Sequence, residues 1–510
     1  MKLIDRFKKD SVKFWKYCFK VSKKAGYSII REFEKGLGIE DNGQKEPQKI
    51  PHQDKKGTLY AGFFKQKLYF EYGDWQHKLL IGKHGTGKNT IAENITINTP
   101  HGVAFIDDAK GSSIDKILRA LPKEKLEKTV VLDHSKKKEP LALGAVKGVD
   151  SIFENDMAVG QWEDFFISNF EIGDLFRTRR LIRYAMKATF AVGGMTVLDA
   201  VKFVENEDFR NYCLSKIANK REYRDVLEYW NNFDEMSDNQ KQSHSAAFLN
   251  RTGNIMGDTI LRTTLGQTPK EELNYEKWVN EGYTVLIKVP EKDLPTEVVR
   301  IISALHVLNL WRACLNRGDV FDDPSKQFTV ICDEPQGWLG RNTRVLDNIF
   351  SKARAYRMNI ICLIQSTAQI KGESSKLLKV MLHNQPDILA LSYADINGLK
   401  SFDWESLRKY QFLARVQGEK FIAKGLKPVE PVRSKEAVKR IYGLFRQRFN
   451  RHYRDVLNRI DRRIRRWDRA NIKEEKKSRR SQGTGSKKMS NTESQKTTED
   501  CSDSSIVTNW

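Results

Sequence analysis

Residues 78–95, KLLIGKHGTGKNTIAENI, constrain this chain more than any other stretch. Leu79, Leu80 and Ile81 form a short apolar run, as a buried strand requires. Gly82, Gly85 and Gly87 break that run, and Lys88 leads into Ile91, Ala92 and Ile95 at helical spacing. Gly82-x-x-x-x-Gly87-Lys88 is the pattern of a phosphate-binding loop. Several backbone N–H groups must converge on phosphate oxygens, which needs positive φ and no Cβ, hence glycine. The helix N-terminus adds a partial positive charge and Lys88 a full one. The reading predicts ATP with Mg²⁺ as cofactors. Gly82, Gly85, Thr86, Gly87, Lys88, Asn89 and Thr90 are the candidate binding residues.

One position departs from the pattern. The residue after the lysine is normally Ser or Thr, whose hydroxyl binds Mg²⁺; here it is Asn89, with Thr90 next. Three readings stay open. The carboxamide oxygen serves as a weaker metal ligand, Thr90 is recruited instead, or the loop binds nucleotide and hydrolyses it poorly.

The 510 residues suffice for two or three domains, and 39% hydrophobic content suffices for their cores. The formal net charge of +23 predicts a polyanionic partner, nucleic acid or an anionic membrane face. Residues 433–480 hold 19 Lys/Arg against 6 Asp/Glu, a net +13 and more than half of the total. The six cysteines are scattered with no metal spacing, which predicts reduced thiols and a cytoplasmic protein. No run of apolar residues is long enough for a transmembrane helix, and the start lacks the apolar core of a signal peptide.

Taken in order, residues 1–57 read as a basic amphipathic segment and a linker. Within them, residues 1–35 suit either a peripheral contact with an anionic membrane surface or packing on their own domain. Residues 58–72 read as a hairpin. Residues 58–150 then alternate strands and helices, the signature of a parallel α/β core. The strand 103–106 ends in Asp107 and Asp108, at the edge where such sheets gather ligands. Residues 151–270 turn helical and read as an inserted all-α domain. The α/β pattern resumes over 271–432, with strands expected at 283–289, 328–334, 359–365 and 386–393, and further strand over 412–423. Residues 433–475 read as a basic helical extension and 476–510 as a disordered tail.

Phosphoryl transfer to water needs an electrostatic cradle, a metal, an aligned water and a base. Asp333 closes an apolar strand and is the candidate metal ligand, with Asn89 and Thr90. Glu334 follows it as candidate base, and Gln365 ends the next strand as candidate sensor. Arg354 and Arg357 are expected on a helix 346–357 between these strands. Arg354 is the candidate for stabilising the transition state from a neighbouring subunit.

The ordered set resembles the HerA/FtsK superfamily of DNA-pumping ATPases, and most of all the TraG/TraD-type coupling proteins of conjugation and type IV secretion. The resemblance rests on 82–90, on Asp108-Ala109-Lys110-Gly111 (Ala where the family has Pro), on Leu132-Asp133 through Pro140 and on 261–267. It rests further on Cys332-Asp333-Glu334 through Trp338-Leu339-Gly340, on 352–356, and on Leu363-Ile364-Gln365 through Gln369. It spans roughly residues 75–425. It implies a RecA-like P-loop NTPase core with a mostly parallel sheet, split by the all-α insert. It also implies a homo-hexamer passing DNA through a channel, with relaxase or secretion components as partners. The family's usual N-terminal transmembrane helices have no counterpart in the basic start of this chain. A related motor for DNA end processing or genome packaging, and a non-hydrolysing nucleotide- and DNA-binding scaffold, are the alternatives.

Overall fold

The computed structural model describes residues 58–64, 67–71, 77–107, 111–146, 151–169, 176–318, 323, 326–335, 349–366, 379, 381–384, 386–392, 402–408, 410–416 and 419–463. The expected amphipathic start and linker, the 108–110 and 338–340 stretches and the tail lie outside the described residues. The chain divides into two units, Met1–Ile460 and Asp461–Trp510, and the description that follows is of the first.

Eleven strands form one sheet among the described residues. They are β1 (Thr58–Phe64), β2 (Lys67–Glu71), β3 (Lys78–Ile81), β4 (Gly102–Asp107), β5 (Thr129–Asp133) and β6 (Thr284–Lys288), followed by β7 (Phe328–Asp333), β8 (Met358–Ile364), β9 (Asp387–Ala390), β10 (Gln411–Val416) and β11 (Glu419–Gly425). Their order is β2-β1-β11-β10-β9-β3-β8-β7-β4-β6-β5. The seven strands from β9 to β5 run parallel. β10, β11, β1 and β2 extend the sheet antiparallel. Every residue of β3, β4, β5, β7, β8 and β9 is buried, so these strands read as continuous apolar runs rather than alternating ones.

Four helices position the functional edge: α1 (Lys88–Asn98), α2 (Ser112–Ala120), α3 (Thr296–Leu315) and α4 (Lys435–Phe449). α3 is long and apolar enough to cross a membrane, but 83% of its apolar window is buried inside the fold, which makes it a core helix here. α4 buries Val438, Ile441, Tyr442, Phe445 and Phe449, a stripe at helical spacing. Asn450 follows it, and its amide donates to the Asp133 and Glu139 carbonyls at 3.2 and 2.6 Å. The basic C-terminal segment therefore begins as part of the first unit.

Between β5 and β6 the described residues of 151–265 contain helices and no strand. They run Ile152–Asn169, Phe176–Phe190, Val197–Glu205, Glu207–Ile217, Arg224–Asp234, Asp238–Gly257 and Thr259–Leu265. They pack around an aromatic core of their own. Trp230 is fully buried, with Phe203 at 4.8 Å and Phe233 at 5.0 Å between ring centroids.

Several strand bounds and one helix expectation need correction, and the strand expected at 386–393 is only Asp387–Ala390. The run 412–423 is two antiparallel strands, β10 and β11, with Val416 opposite Glu419. The strand expected at 328–334 stops at Asp333. The residues before β8 end in a 3₁₀ turn, Ala353–Tyr356, and Arg357 is left-handed (φ 53°) and buried. Arg357 is thus a buried corner residue rather than a residue on a helix face.

His77 is buried at the entry to β3. Its Nε2 donates to the Phe350 carbonyl (3.1 Å), and its Nδ1 accepts from the Ile360 N–H (3.0 Å). Both roles require the neutral ring, since a proton on Nδ1 would face another donor. Burial, with the Lys78 charge, brings its pKa down to about 4 from 6.5 although the Phe350 bond opposes this. A depressed histidine pKa gives stability that is complete above the unfolded value and lost as pH falls towards the folded one. In urea unfolding, the advantage of wild type over His77→Gln should grow by about 1.4 kcal/mol per pH unit between about pH 4.5 and 6, and level off above pH 7. A pH-independent difference would contradict the neutral-ring assignment.

Candidate nucleotide site

β3 runs into the glycine loop, and the loop runs into α1. Gly87 caps α1 with φ 106°, and Gly85 has φ 81°. Both values lie where L side chains are strained, so the backbone itself asks for glycine. The start of the loop is pinned to the neighbouring strand β8 and to the residues just past β9. The Gly82 N–H donates to the Ile364 carbonyl at 3.1 Å, and the Lys83 N–H donates to the Ser392 hydroxyl at 2.9 Å. Thr86 Oγ1 donates to the Lys83 carbonyl at 2.8 Å and closes the turn.

Lys88 is buried and reaches back over the loop, its Nζ 2.6 Å from the Gly82 carbonyl. Burial lowers its pKa, while the Glu334 and Asp333 charges raise it, so the ammonium shares a field with both acids. Thr90 contributes its carbonyl to Asn94 at 2.8 Å; among the described residues no hydrogen bond of its hydroxyl reaches the acids.

Asp333 ends β7 and Glu334 turns the corner. The Glu334 N–H donates to the Leu363 carbonyl at 3.1 Å, so the corner is fixed to β8. Glu334 has φ 54°, a conformation that costs a non-glycine residue about 1 kcal/mol and tends to persist where surroundings impose it. Gln365, just past β8, donates from Nε2 to Glu334 Oε1 at 2.8 Å. The predicted metal ligand, base and sensor all meet here, because β7 lies beside β8 and β8 beside β3.

Asn89 has a definite role. Its Nδ2 donates to Asp333 Oδ2 at 2.9 Å and to Ser113 Oγ at 3.1 Å. Pairing with a carboxylate makes the amide nitrogen, not the oxygen, the atom that faces Asp333.

Sequence reasoning noted Asp107 as a strand-end acid and missed its place in the site. It ends β4 fully buried and accepts from the Gly111 and Ser113 N–H groups at 2.8 and 3.0 Å. Burial raises its pKa, against those hydrogen bonds. Burial, and next the Asp107 charge, pushes Asp333 up to about 7. Two buried carboxylates sharing one field, with the Ser113 hydroxyl near them, are oxygen donors suited to a hard divalent cation that also keeps water and phosphate ligands. The signal in the sequence was VAFIDD, an apolar strand ending in acid, the same form as VICDE.

Arg354 is not brought to this site. It is exposed in the turn before β8, at the opposite end of a strand of seven residues, about 20 Å from the edge that holds Gln365.

The fold has solved counterparts. The unbound monoclinic form of the bacterial conjugative coupling protein TrwBdeltaN70 is similar at TM-score 0.50 and 13% identity, covering 75% of this chain and 90% of that one. This chain has the fold of a RecA-like P-loop ATPase core. TrwB in complex with ADP and Mg²⁺ is similar at TM-score 0.46 and 15% identity, covering 75% and 84% of the two chains. VirB4 of Thermoanaerobacter pseudethanolicus is similar at TM-score 0.47 and 13% identity, covering 73% and 96%. No family model and no curated protein matches the sequence.

The loop geometry makes a paired prediction. A Cβ at Gly87 would meet only Leu391, at 3.7 Å, so Gly87→Ala should cost about 1–2 kcal/mol through backbone strain alone. Gly253 sits exposed inside the helix Asp238–Gly257, and a Cβ there would meet nothing within 4 Å, so Gly253→Ala should stabilise by about 0.5–1 kcal/mol. Urea midpoints moving in the same direction for both would refute the left-handed assignment.

Proposed function

We propose that this chain is an ATP-hydrolysing DNA motor of the coupling-protein kind, working in conjugative transfer through a type IV secretion-type system. The observation that carries the reading is the meeting of Lys88, Asp333, Glu334 and Gln365 at one edge of a sheet whose fold is like that of a conjugative coupling protein. In this reading ATP lies on the glycine loop with Lys88 on its β- and γ-phosphates. Asp333, with Asp107 beside it, would hold a Mg²⁺ ion that neutralises phosphate charge. Glu334 orients and deprotonates the attacking water, and Gln365 holds Glu334 and senses the γ-phosphate. Arg354 acts on a neighbouring subunit's nucleotide, which its exposure on the far edge supports and which calls for a ring, a hexamer in the family. DNA is the polyanion that answers the +23 charge, relaxase or secretion components are the protein partners, and residues 1–35 make any membrane contact from the cytoplasmic side. The parts are a core of 58–150 and 271–432 around the insert 151–270.

The test is ATP turnover with and without DNA. Wild type should hydrolyse ATP faster with DNA. Lys88→Ala should lose nucleotide binding or turnover, and Glu334→Gln should bind ATP and lose turnover by about 10²-fold or more, in line with the loss of a general base. Turnover unchanged in either variant would remove the site assignment.

Asn89 favours a second reading, a scaffold that binds nucleotide and DNA without turnover, since its amide already engages the Asp333 oxygen that a metal would need. Asn89→Thr should then raise Mg²⁺-dependent turnover and lower the Mg²⁺ concentration for half effect. An unchanged Mg²⁺ dependence would mean that Thr90 or water already fills the hydroxyl's role.

A further inference from the structure

We propose that a cleft between α2, α4 and the ends of β5 and β6 binds the phosphate backbone of a nucleic-acid strand. The inference rests on the motor reading above and places its DNA contact where the ATPase core meets the basic helix α4. The cleft has a volume of about 360 Å³ and is lined by seven Lys/Arg against two Asp. It lies on the same carboxyl edge of the sheet as the nucleotide site. β6 lies beside β4, with Lys288 opposite Asp107, so the cleft begins next to the acids of the nucleotide site and runs away from the glycine loop, whose strand β3 is four strands, roughly 19 Å, from β6.

The charges divide into two sets. One set is internally neutralised and builds the walls. Lys288 Nζ pairs with Asp115 at 2.9 Å, Tyr442 donates to the same oxygen at 2.6 Å, and Arg446 lies 3.7 Å from Asp133. Lys116 pairs with Glu93 at 3.0 Å. The other set is Arg119, Lys136, Lys435 and Lys439, which make no salt bridge with a described carboxylate. Arg119 donates to the Arg433 carbonyl at 3.2 Å and the Glu436 charge acts on Lys435 and Lys439, which leaves four cations facing one cleft with a single exposed acid among them and a net repulsion that an anion would relieve. The wall pairs hold the cleft's shape, and the set without a salt bridge supplies its affinity.

The shape of the charge favours a polymer over a small anion. α4 is about 22 Å long, the span of roughly six phosphates of one strand. Lys435 and Lys439 lie exposed along its first two turns, and Arg446, nearer its end, meets Asp133 at the start of the β5 loop. That loop continues the basic track with Lys136, Lys137 and Lys138, all exposed. It is held in place, because the Tyr453 N–H donates to the Lys138 carbonyl at 2.8 Å and Asn450 binds the carbonyls of Asp133 and Glu139. A single phosphate would need only the cleft. A track of cations fixed along a helix and a pinned loop suits a repeating one.

The test uses the full chain and a labelled oligonucleotide, single-stranded and duplex, followed by fluorescence anisotropy across a salt series without nucleotide. Lys435→Gln/Lys439→Gln changes two exposed residues. It should weaken binding about tenfold or more and flatten the slope of log affinity against log salt by about 2. Lys136→Ser should flatten it by about 1. The control Lys216→Gln/Lys220→Gln, on the helical insert, should change both little. Unchanged affinity and slope in the cleft variants overturns the proposal, and so does an equal loss in the control. A loss of pyrophosphate binding with DNA binding intact also overturns it, because the cleft would then hold a small anion. DNA binding by a wild type that hydrolyses no ATP sinks the motor reading and leaves the cleft standing. DNA-stimulated ATP turnover and DNA binding that the cleft variants both leave unchanged do the reverse.

Discussion

Like charges buried together set the terms for this structure. Asp107 and Asp333 share one field at the ends of β4 and β7, and the Glu334 charge adds to it. Burial alone disfavours each ionised carboxylate, and their proximity disfavours it further. The fold meets this with Lys88, with backbone N–H groups aimed at Asp107, and with the Asn89 amide on Asp333. What these do not offset appears as the raised proton affinity of Asp333. A divalent cation carrying a nucleotide's phosphates would relieve the same repulsion more fully, so the electrostatics of the core and the chemistry proposed for it have one origin.

The sheet order makes that concentration of charge possible. Each acid ends a strand from a different part of the sequence, and only the order β3-β8-β7-β4 sets their ends side by side. β8 acts as the reference strand. Its Ile364 carbonyl holds Gly82 on one side, its Leu363 carbonyl holds Glu334 on the other, and Gln365 follows at once. A residue slip in β8 would therefore misplace loop, base and sensor together, and the left-handed Glu334 is tolerated because two neighbours fix it.

The same edge continues past the nucleotide site to β6 and β5, where α2 and α4 carry positive charge in place of negative. α2 has Ser113 in its first turn, touching Asn89, and presents Arg119 to the basic cleft. One short helix thus touches the nucleotide site at its first turn and lines the cleft along its length.

Much of this was legible in the chain alone. The glycine spacing announced the loop, because few other residues tolerate the φ angles found at Gly85 and Gly87. The apolar runs ending in acid announced β4 and β7, because parallel strands buried on both faces have no polar alternation to hide in. Helical periodicity separated 151–265 from the sheet for the same kind of local reason. The division into β10 and β11, the corner at Arg357 and the partners of Asn89 were not legible, since each depends on what stands across the sheet rather than on neighbours in sequence. The sequence by itself thus determined which segments could be strands, loop and helices and which residue types could do the chemistry, through periodicity and steric need. Only the tertiary structure decided that Asp107 joins Asp333, that Asn89 spends its amide on that acid, that Arg354 lies on the far edge, and that scattered lysines share one cleft. Strand order and register bring together residues hundreds of positions apart, and no local pattern encodes them.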